Sequence, residues 1–236
     1  MSLLVVQHQQ TCPPGRVGTW LTEAGVELDV RHPWAGDELP ADLSGHDGLL
    51  VLGGQMGHAD DDVAPWLPAT RELIRTAAKG EVPALGICLG HQLAAAALGG
   101  TVGRNPHGRT LGVLTVAGDA DLAADRVLAD AAGAPVVQWN DDIVTALPSG
   151  ATALATNERD DLLLARFTPT VWGVQGHPEA DEAIVAAWAA KDVDSSELVG
   201  VDVPALLAEI EAAGPAVEAA WRPVVAAFVG LVPARS

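Results

Sequence analysis

Val82-Pro83-Ala84-Leu85-Gly86-Ile87-Cys88-Leu89-Gly90-His91-Gln92 is the stretch that sets the architecture of this chain. An apolar run ends at Gly86-Ile87, a cysteine follows between Gly86 and Gly90, and an alanine-rich run from Leu93 to Leu98 comes next. That order reads as strand, sharp turn and helix, with a nucleophile at the turn. Small neighbours suit the turn, because its backbone is crowded and glycine tolerates strained angles. A cysteine there sits at a helix N-terminus, where unpaired N–H groups and the helix dipole favour thiolate. Taken alone, the pattern also suits a buried structural cysteine, since free cysteine packs as a small hydrophobe.

Upstream, Asp47 to Leu52 reads as a strand that runs straight into Gly53-Gly54-Gln55-Met56-Gly57. A glycine pair at the C-terminal edge of a parallel strand lies where α/β sheets meet their ligands. Without side chains there, backbone N–H groups can approach a substrate oxygen closely; a plain flexible turn has the same composition. Ser2 to Gln7 and Val26 to Val30 read as further strands, Val17 to Ala24 and Pro65 to Lys79 as helices. Strands alternating with helices predict a mostly parallel central sheet covered on both faces. The acidic run Asp60-Asp61-Asp62 beside a helix start reads as a solvated cap rather than a metal site.

Downstream, Thr101-Val102 opens a β-rich middle. Leu111 to Val116 reads as a strand and Leu122 to Ala132 as a helix. Val136 to Trp139 and Ile143 to Ala146 read as paired strands around Asn140-Asp141-Asp142. Ala151 to Ala155, Leu162 to Phe167 and Val171 to Val174 complete a meander at the sheet edge. The last of these strands leads into Gln175-Gly176-His177-Pro178-Glu179. In an extended segment His177 and Glu179 point to one side, and Pro178 stiffens the arrangement. A histidine with such a carboxylate is a base with its own orienting partner. An isolated pair of this kind is equally a surface feature. Cys88, His177 and Glu179 form a Cys-His-Glu set once the fold brings them together. The tail reads as helices over Glu182 to Ala190, Pro204 to Ala213 and Pro215 to Val229, with Trp221, Val225, Phe228 and Leu231 as packing residues.

Composition narrows the partners. The formal charge of -18 argues against nucleic acid and anionic membrane. Cys12 and Cys88 are the only cysteines, too few for a disulfide framework. Cys12 lies in a polar loop with no evident base beside it and reads as incidental. No signal pattern precedes Leu3 to Val6 and no apolar run is long enough to span a bilayer, so the expected location is cytoplasmic. His8, His32, His46, His58, His91 and His107 lack metal-ligand spacing and read as structural or surface residues, so no metal is expected.

Together, Gly86-Ile-Cys88-Leu-Gly90-His-Gln92 and Gly173-Val-Gln-Gly-His177-Pro-Glu179 resemble the motifs of the class I (triad-type) glutamine amidotransferase family. Gly53-Gly54-Gln55-Met56-Gly57 is similar to the Gly-Gly-Pro-Met oxyanion loop of that family, and Leu98 to Asn105 resembles its continuation after the elbow. The likeness covers about residues 1–190 and is nearest in character to stand-alone members similar to the GMP synthase glutaminase domain. It implies one flavodoxin-like α/β domain over 1–236, with a core of about 1–190, a helical extension of about 191–236 and a small added antiparallel sheet.

The resemblance also implies the chemistry. Cys88 attacks the side-chain amide carbon of glutamine, forms a γ-glutamyl thioester and releases ammonia; His177 moves the proton and Glu179 orients His177. The Gly53-Gly54 loop holds the oxyanion through the N–H of Gly54, together with that of Leu89. Gln92, Asn140 and Asp141 contact the amino-acid end of the substrate. No cofactor is implied. No synthetase-like segment follows in these residues, and the resemblance allows a separate ammonia-accepting synthetase as one partner, without requiring it. Two alternatives stand beside this reading: a hydrolase of γ-glutamyl peptides or conjugates using the same triad, and a non-catalytic regulatory or binding module. The intact triad argues against the module. Three positions depart from the family pattern: Gln55 for proline, Gly176 for phenylalanine, and Asn140-Asp141 for a frequent His-Gly. Loss of a phenylalanine and a proline is expected to open the pocket, which favours the conjugate hydrolase.

Overall fold

The computed structural model describes residues 1–192, 198 and 200–232. In chain order the elements are β1 (Ser2–Val6), α1 (Gly15–Glu23), β2 (Glu27–Arg31), β3 (Gly48–Val51), α2 (Leu67–Lys79), β4 (Ala84–Ile87) and α3 (Leu89–Ala97). There follow β5 (Thr101–Arg104), β6 (Thr110–Thr115), β7 (Ala117–Gly118), α4 (Ala120–Ala123), β8 (Pro135–Asn140) and β9 (Asp142–Ala146). The chain continues with β10 (Thr152–Thr156), β11 (Leu162–Thr168), β12 (Val171–Val174), α5 (Glu182–Asp192) and α6 (Val203–Val229).

Eight strands form one sheet in the order β2-β1-β3-β4-β12-β11-β10-β7. The first five run parallel, and β11, β10 and β7 extend the edge antiparallel. Two further antiparallel ribbons pair β5 with β9 and β6 with β8. The inner parallel strands β1, β3, β4 and β12 read as apolar runs because both of their faces are covered, whereas the edge strand β2 (Glu27–Arg31) carries charged residues. Leu3, Val5, Leu50 and Ile87 pack on one face with Trp20 and Leu21 of α1 and Trp221, Val225 and Phe228 of α6. Leu4, Val6, Leu49 and Val51 pack on the other with Leu73 and Ile74 of α2 and Leu93 of α3. Each such side chain, fully buried, contributes about 1.5–3 kcal/mol. Among the described residues no helix is long and apolar enough to cross a membrane.

Four expectations are corrected. The helix over Leu122 to Ala132 stops at Ala123, because the Asp125 carboxylate accepts the N–H groups of Val127 and Leu128 and turns the chain. The strands on either side of Asp141 do not pair with each other: β8 pairs with β6 and β9 with β5. One residue between them is too few for a hairpin, whose tightest common loop has two. The tail helices on either side of Pro215 form one continuous helix, α6. Each interior proline costs about 3 kcal/mol, but Leu206, Ile210, Val217, Trp221, Val224, Val225 and Phe228 are buried along its length and outweigh that. The acidic run does not cap α2: its N-cap is Trp66 with no side-chain bond, while Asp61 pairs with Arg71 at 2.7 Å and Asp60 accepts the Gly57 N–H at 2.6 Å. Of the expected extension over 191–236, residues 193–197, 199 and 233–236 lie outside the described residues.

The sheet order has a direct consequence for the site. Because β3, β4 and β12 are neighbours running the same way, their C-terminal ends emerge side by side. Those ends carry Gly53-Gly54, Cys88 and Gln175 to Glu179.

Candidate active site

Cys88 lies between β4 and α3 with φ 50° and ψ -106°, a conformation that L residues rarely adopt. Holding it costs about 1–3 kcal/mol, and strain of this kind concentrates where a side chain must be presented. The turn needs its glycines for room: a Cβ on Gly86 would strike the backbone of Gly90, and one on Gly90 would strike the Val51 carbonyl. The Cys88 N–H donates to the Val174 carbonyl at 2.8 Å, which fastens the turn to β12. Leu89 opens α3, so its N–H has no carbonyl one turn earlier to satisfy it.

His177 is held from four sides. Its N–H donates to the Val137 carbonyl at 2.7 Å, and its Nδ1 lies 2.7 Å from Glu179 Oε1. The Trp188 ring packs against the imidazole, with centroids 4.7 Å apart. The Trp188 indole is itself anchored by donating to the Thr11 carbonyl at 2.6 Å. On the fourth side lies Cys88: a Cβ on Gly53 would be 3.0 Å from His177 Cε1 and 3.6 Å from Cys88 Cβ. His177 and Glu179 are both buried. Burial alone would lower the imidazole's proton affinity; the charges of Cys88 and Glu179 and the hydrogen bonds to them outweigh that and push its pKa up to about 10. The Gly53-Gly54 loop runs past the same point. A Cβ on Gly54 would lie 3.0 Å from Leu89 Cδ2. Cys88, His177, Glu179, Gly53, Gly54 and Leu89 are therefore gathered at one sheet edge.

These groups open into a cleft of about 440 Å³, within the range of small-molecule sites. Gln92, Asn140 and Asp141 line it as well. The Asp141 carboxylate is already engaged: Arg109 holds it through Nε at 3.1 Å and through its terminal nitrogen at 2.6 Å, and Arg104 lies at 3.3 Å. Arg109 also reaches Asp192 at 2.8 Å and lies over the Trp139 ring. Asp192 in turn accepts the Trp139 indole N–H at 3.3 Å. This network ties the residue before β6, the end of β8 and the end of α5 together at the cleft.

Two further readings change. Cys12 is not incidental: it is buried and lines the same cleft as Cys88. Burial first, then the charges of Glu179 and Cys88, push its thiol up, so it stays protonated. Gly176 does not open the pocket, because the space a Cβ would take is filled by Gln138, Val136 and the Val137 carbonyl. Gln55 does line the cleft. His8 and His91 are buried in neutral surroundings, each lowered to about 3 by burial, and His91 packs on Phe167.

Gln175, Arg109, Trp188 and Asp192 escape the sequence reading as site residues. For Gln175 a signal was present. The alternation that puts His177 and Glu179 on one side puts Gln175 there too, and its Nε2 lies 3.7 Å from the Cys88 sulfur. The other three are brought in by long-range packing and carry no local mark. A cysteine at a strained turn, an imidazole with a carboxylate and nearby backbone N–H groups form a set suited to covalent acyl transfer.

A match to the family described as Glutamine amidotransferase class-I spans residues 19–183. The chain is 30% identical to gamma-glutamyl peptidase 5 of Arabidopsis thaliana over 152 residues, which cover 61% of this chain and 58% of that protein. It is 31% identical to the glutamine-hydrolyzing GMP synthase of Xanthomonas oryzae pv. oryzae over 173 residues, which cover 70% of this chain and 30% of that protein. It thus spans less than two thirds of the length of either relative. A crystal structure of a glutamine amidotransferase from Thermotoga maritima superposes with a TM-score of 0.86 at 25% identity, covering 97% of this chain and 98% of that one.

Proposed function

Since the chain belongs to the glutamine amidotransferase class-I family, we propose that it hydrolyses the side-chain amide of glutamine through a covalent thioester on Cys88. The observation that carries this is a buried imidazole paired with Glu179 at 2.7 Å and flanking, across Gly53, a cysteine held at a strained turn. The Cys88 thiolate attacks the amide carbon, and the oxygen takes the negative charge within reach of the N–H groups of Gly54 and Leu89. Such donors are each worth about 10²–10³ in rate in enzymes where one has been removed. The imidazolium of His177 gives its Nε2 proton to the nitrogen as the C–N bond breaks, and ammonia leaves. A water then loses a proton to His177 and attacks the thioester; glutamate departs and the sulfur is restored. Glu179 stays ionised throughout and holds the Nδ1 proton, which fixes the tautomer. Gln92, Asn140 and the Arg109-braced Asp141 meet the amino-acid end of the substrate. The ammonia is released for an acceptor. No cofactor takes part, the whole chain acts as one catalytic domain, and its site of action is the cytoplasm.

A second reading rests on the cleft wall. Next to His177, where the leaving nitrogen must lie, Cys12, Trp188 and Gln55 continue the cleft. That leaves room for a substituent on the nitrogen, as in a γ-glutamyl peptide or conjugate. One assay decides between the two: ammonia or amine release from glutamine and from a panel of γ-glutamyl dipeptides, with the thioester trapped and mapped by mass spectrometry. A γ-glutamyl adduct on Cys88 is expected. Hydrolysis that survives Cys88→Ala overturns the covalent mechanism, and binding without turnover of any substrate favours the non-catalytic module.

A further inference from the structure

The side-chain amide of Gln175 touches the sulfur of Cys88, and the direction in which it points is settled by its neighbours. Gln92 has one end of its amide 2.9 Å from the Asp142 carbonyl. A carbonyl only accepts, so that end of Gln92 is its NH₂ group. The same NH₂ reaches Oε1 of Gln175 at 3.3 Å. The oxygen of Gln175 is thereby occupied, and its NH₂ is turned to Cys88 Sγ at 3.7 Å. Gln92 and Gln175 are 4% and 1% exposed, so water does not compete for either amide. Gln92 thus donates both to the backbone carbonyl at the start of β9 and to Gln175, and Gln175 donates onward to the sulfur.

We propose that Gln175 is a further catalytic residue that donates an N–H to the Cys88 sulfur, and that Gln92 is the positioning residue that locks the amide in its donating direction. This rests on Cys88 being the nucleophile of the reaction proposed above. A donor aimed at sulfur favours thiolate over thiol, because a charged acceptor binds an N–H more strongly than a neutral one. It therefore helps twice: the sulfur is readier to attack, and it leaves more easily as thiolate when water opens the thioester. The titratable groups facing Cys88 are His177, with Glu179 behind it, and Cys12 from the loop after β1. Substitution of the amide leaves all three in place.

The test is the pH dependence of Cys88 alkylation by iodoacetamide on the full chain, read at Cys88 by mass spectrometry, with folding followed by circular dichroism. Gln175→Met keeps the length and removes the donor; Gln175→Glu keeps the shape and replaces the donor with a carboxylate; Gln92→Leu leaves the donor but frees it to turn. In Gln175→Met the acid limb should move up by about one pH unit, which is about tenfold slower alkylation at a fixed pH below the limb. Gln175→Glu should move it further, and Gln92→Leu part of the way. Limbs in the folded variants that superpose on that of the unmodified protein overturn the proposal, whatever happens to turnover. If the limbs move as expected but the parent chain hydrolyses no amide, the proposed reaction fails and the hydrogen bond to the sulfur stands. If it hydrolyses amide while the limbs do not move, the hydrogen bond to the sulfur fails and the reaction stands.

Discussion

Glu179→Gln separates the charge of the imidazole's partner from its shape. In the native protein Glu179 Oε1 lies 2.7 Å from His177 Nδ1, and Glu179 is 1% exposed. Glutamine can still accept the Nδ1 proton through its oxygen, so the tautomer is kept and only the charge is lost. A hydrogen bond to an ionised group is worth about 1.5–3 kcal/mol net, and a neutral one about 0.5–1.5. The imidazolium should therefore lose about 1–1.5 kcal/mol of support, or about one pH unit. Native His177, raised to about 10 against burial by Cys88 and Glu179, holds its proton well into the alkaline range. In the variant the alkaline limb of kcat/KM should fall by about one unit, with roughly a tenfold loss from poorer charge stabilisation of the imidazolium. Stability should follow the same sign. A histidine whose folded value is raised contributes fully below its ordinary 6.5 and loses that contribution as pH rises through about 10. The thermal midpoint should thus begin its alkaline decline at lower pH in the variant. The assay is kcat/KM against pH, alongside thermal unfolding across the same range. An alkaline limb that stays in place, or moves up, refutes the reasoning, and so removes Glu179 from the proposed triad.

Brief treatment with iodoacetamide near neutral pH should label Cys88 and leave Cys12 unmodified, although both are buried, because the Cys12 thiol is pushed up and stays protonated; peptide mapping reads this, and equal labelling counts against it. His177→Ala should be as damaging as Cys88→Ala, and the double variant no worse than either, because the two act as one unit; a double variant far below both singles would show independent roles. Arg109→Ala should leave the mostly buried carboxylates of Asp141 and Asp192 without their shared cation, lowering stability by about 3 kcal/mol and raising KM more than it lowers kcat; chemical denaturation and steady-state kinetics check both.

The sequence alone carried the local half of this protein. Apolar runs such as Leu3 to Val6 and Leu49 to Leu52 are buried on both faces and so mark parallel strands without reference to the rest of the chain. Gly86 and Gly90 around Cys88 mark the strained turn, because only glycine fits where the turn meets its neighbours. His177 and Glu179 mark themselves by strand alternation, and Gln175 was legible by the same rule. Periodicity is a property of a few consecutive residues, so it reports which side a residue faces but not what it faces. Strand order decided that. Gln175 and Cys88 are 87 residues apart and meet only because β12 lies beside β4. Cys12 reaches the cleft from the loop after β1, and Trp188 and Asp192 reach it from α5. Arg109 becomes the brace of Asp141 only because β6 pairs with β8 rather than β8 with β9. Such contacts are selected by the packing of whole elements, where many small burial terms add up over distances that no local pattern spans.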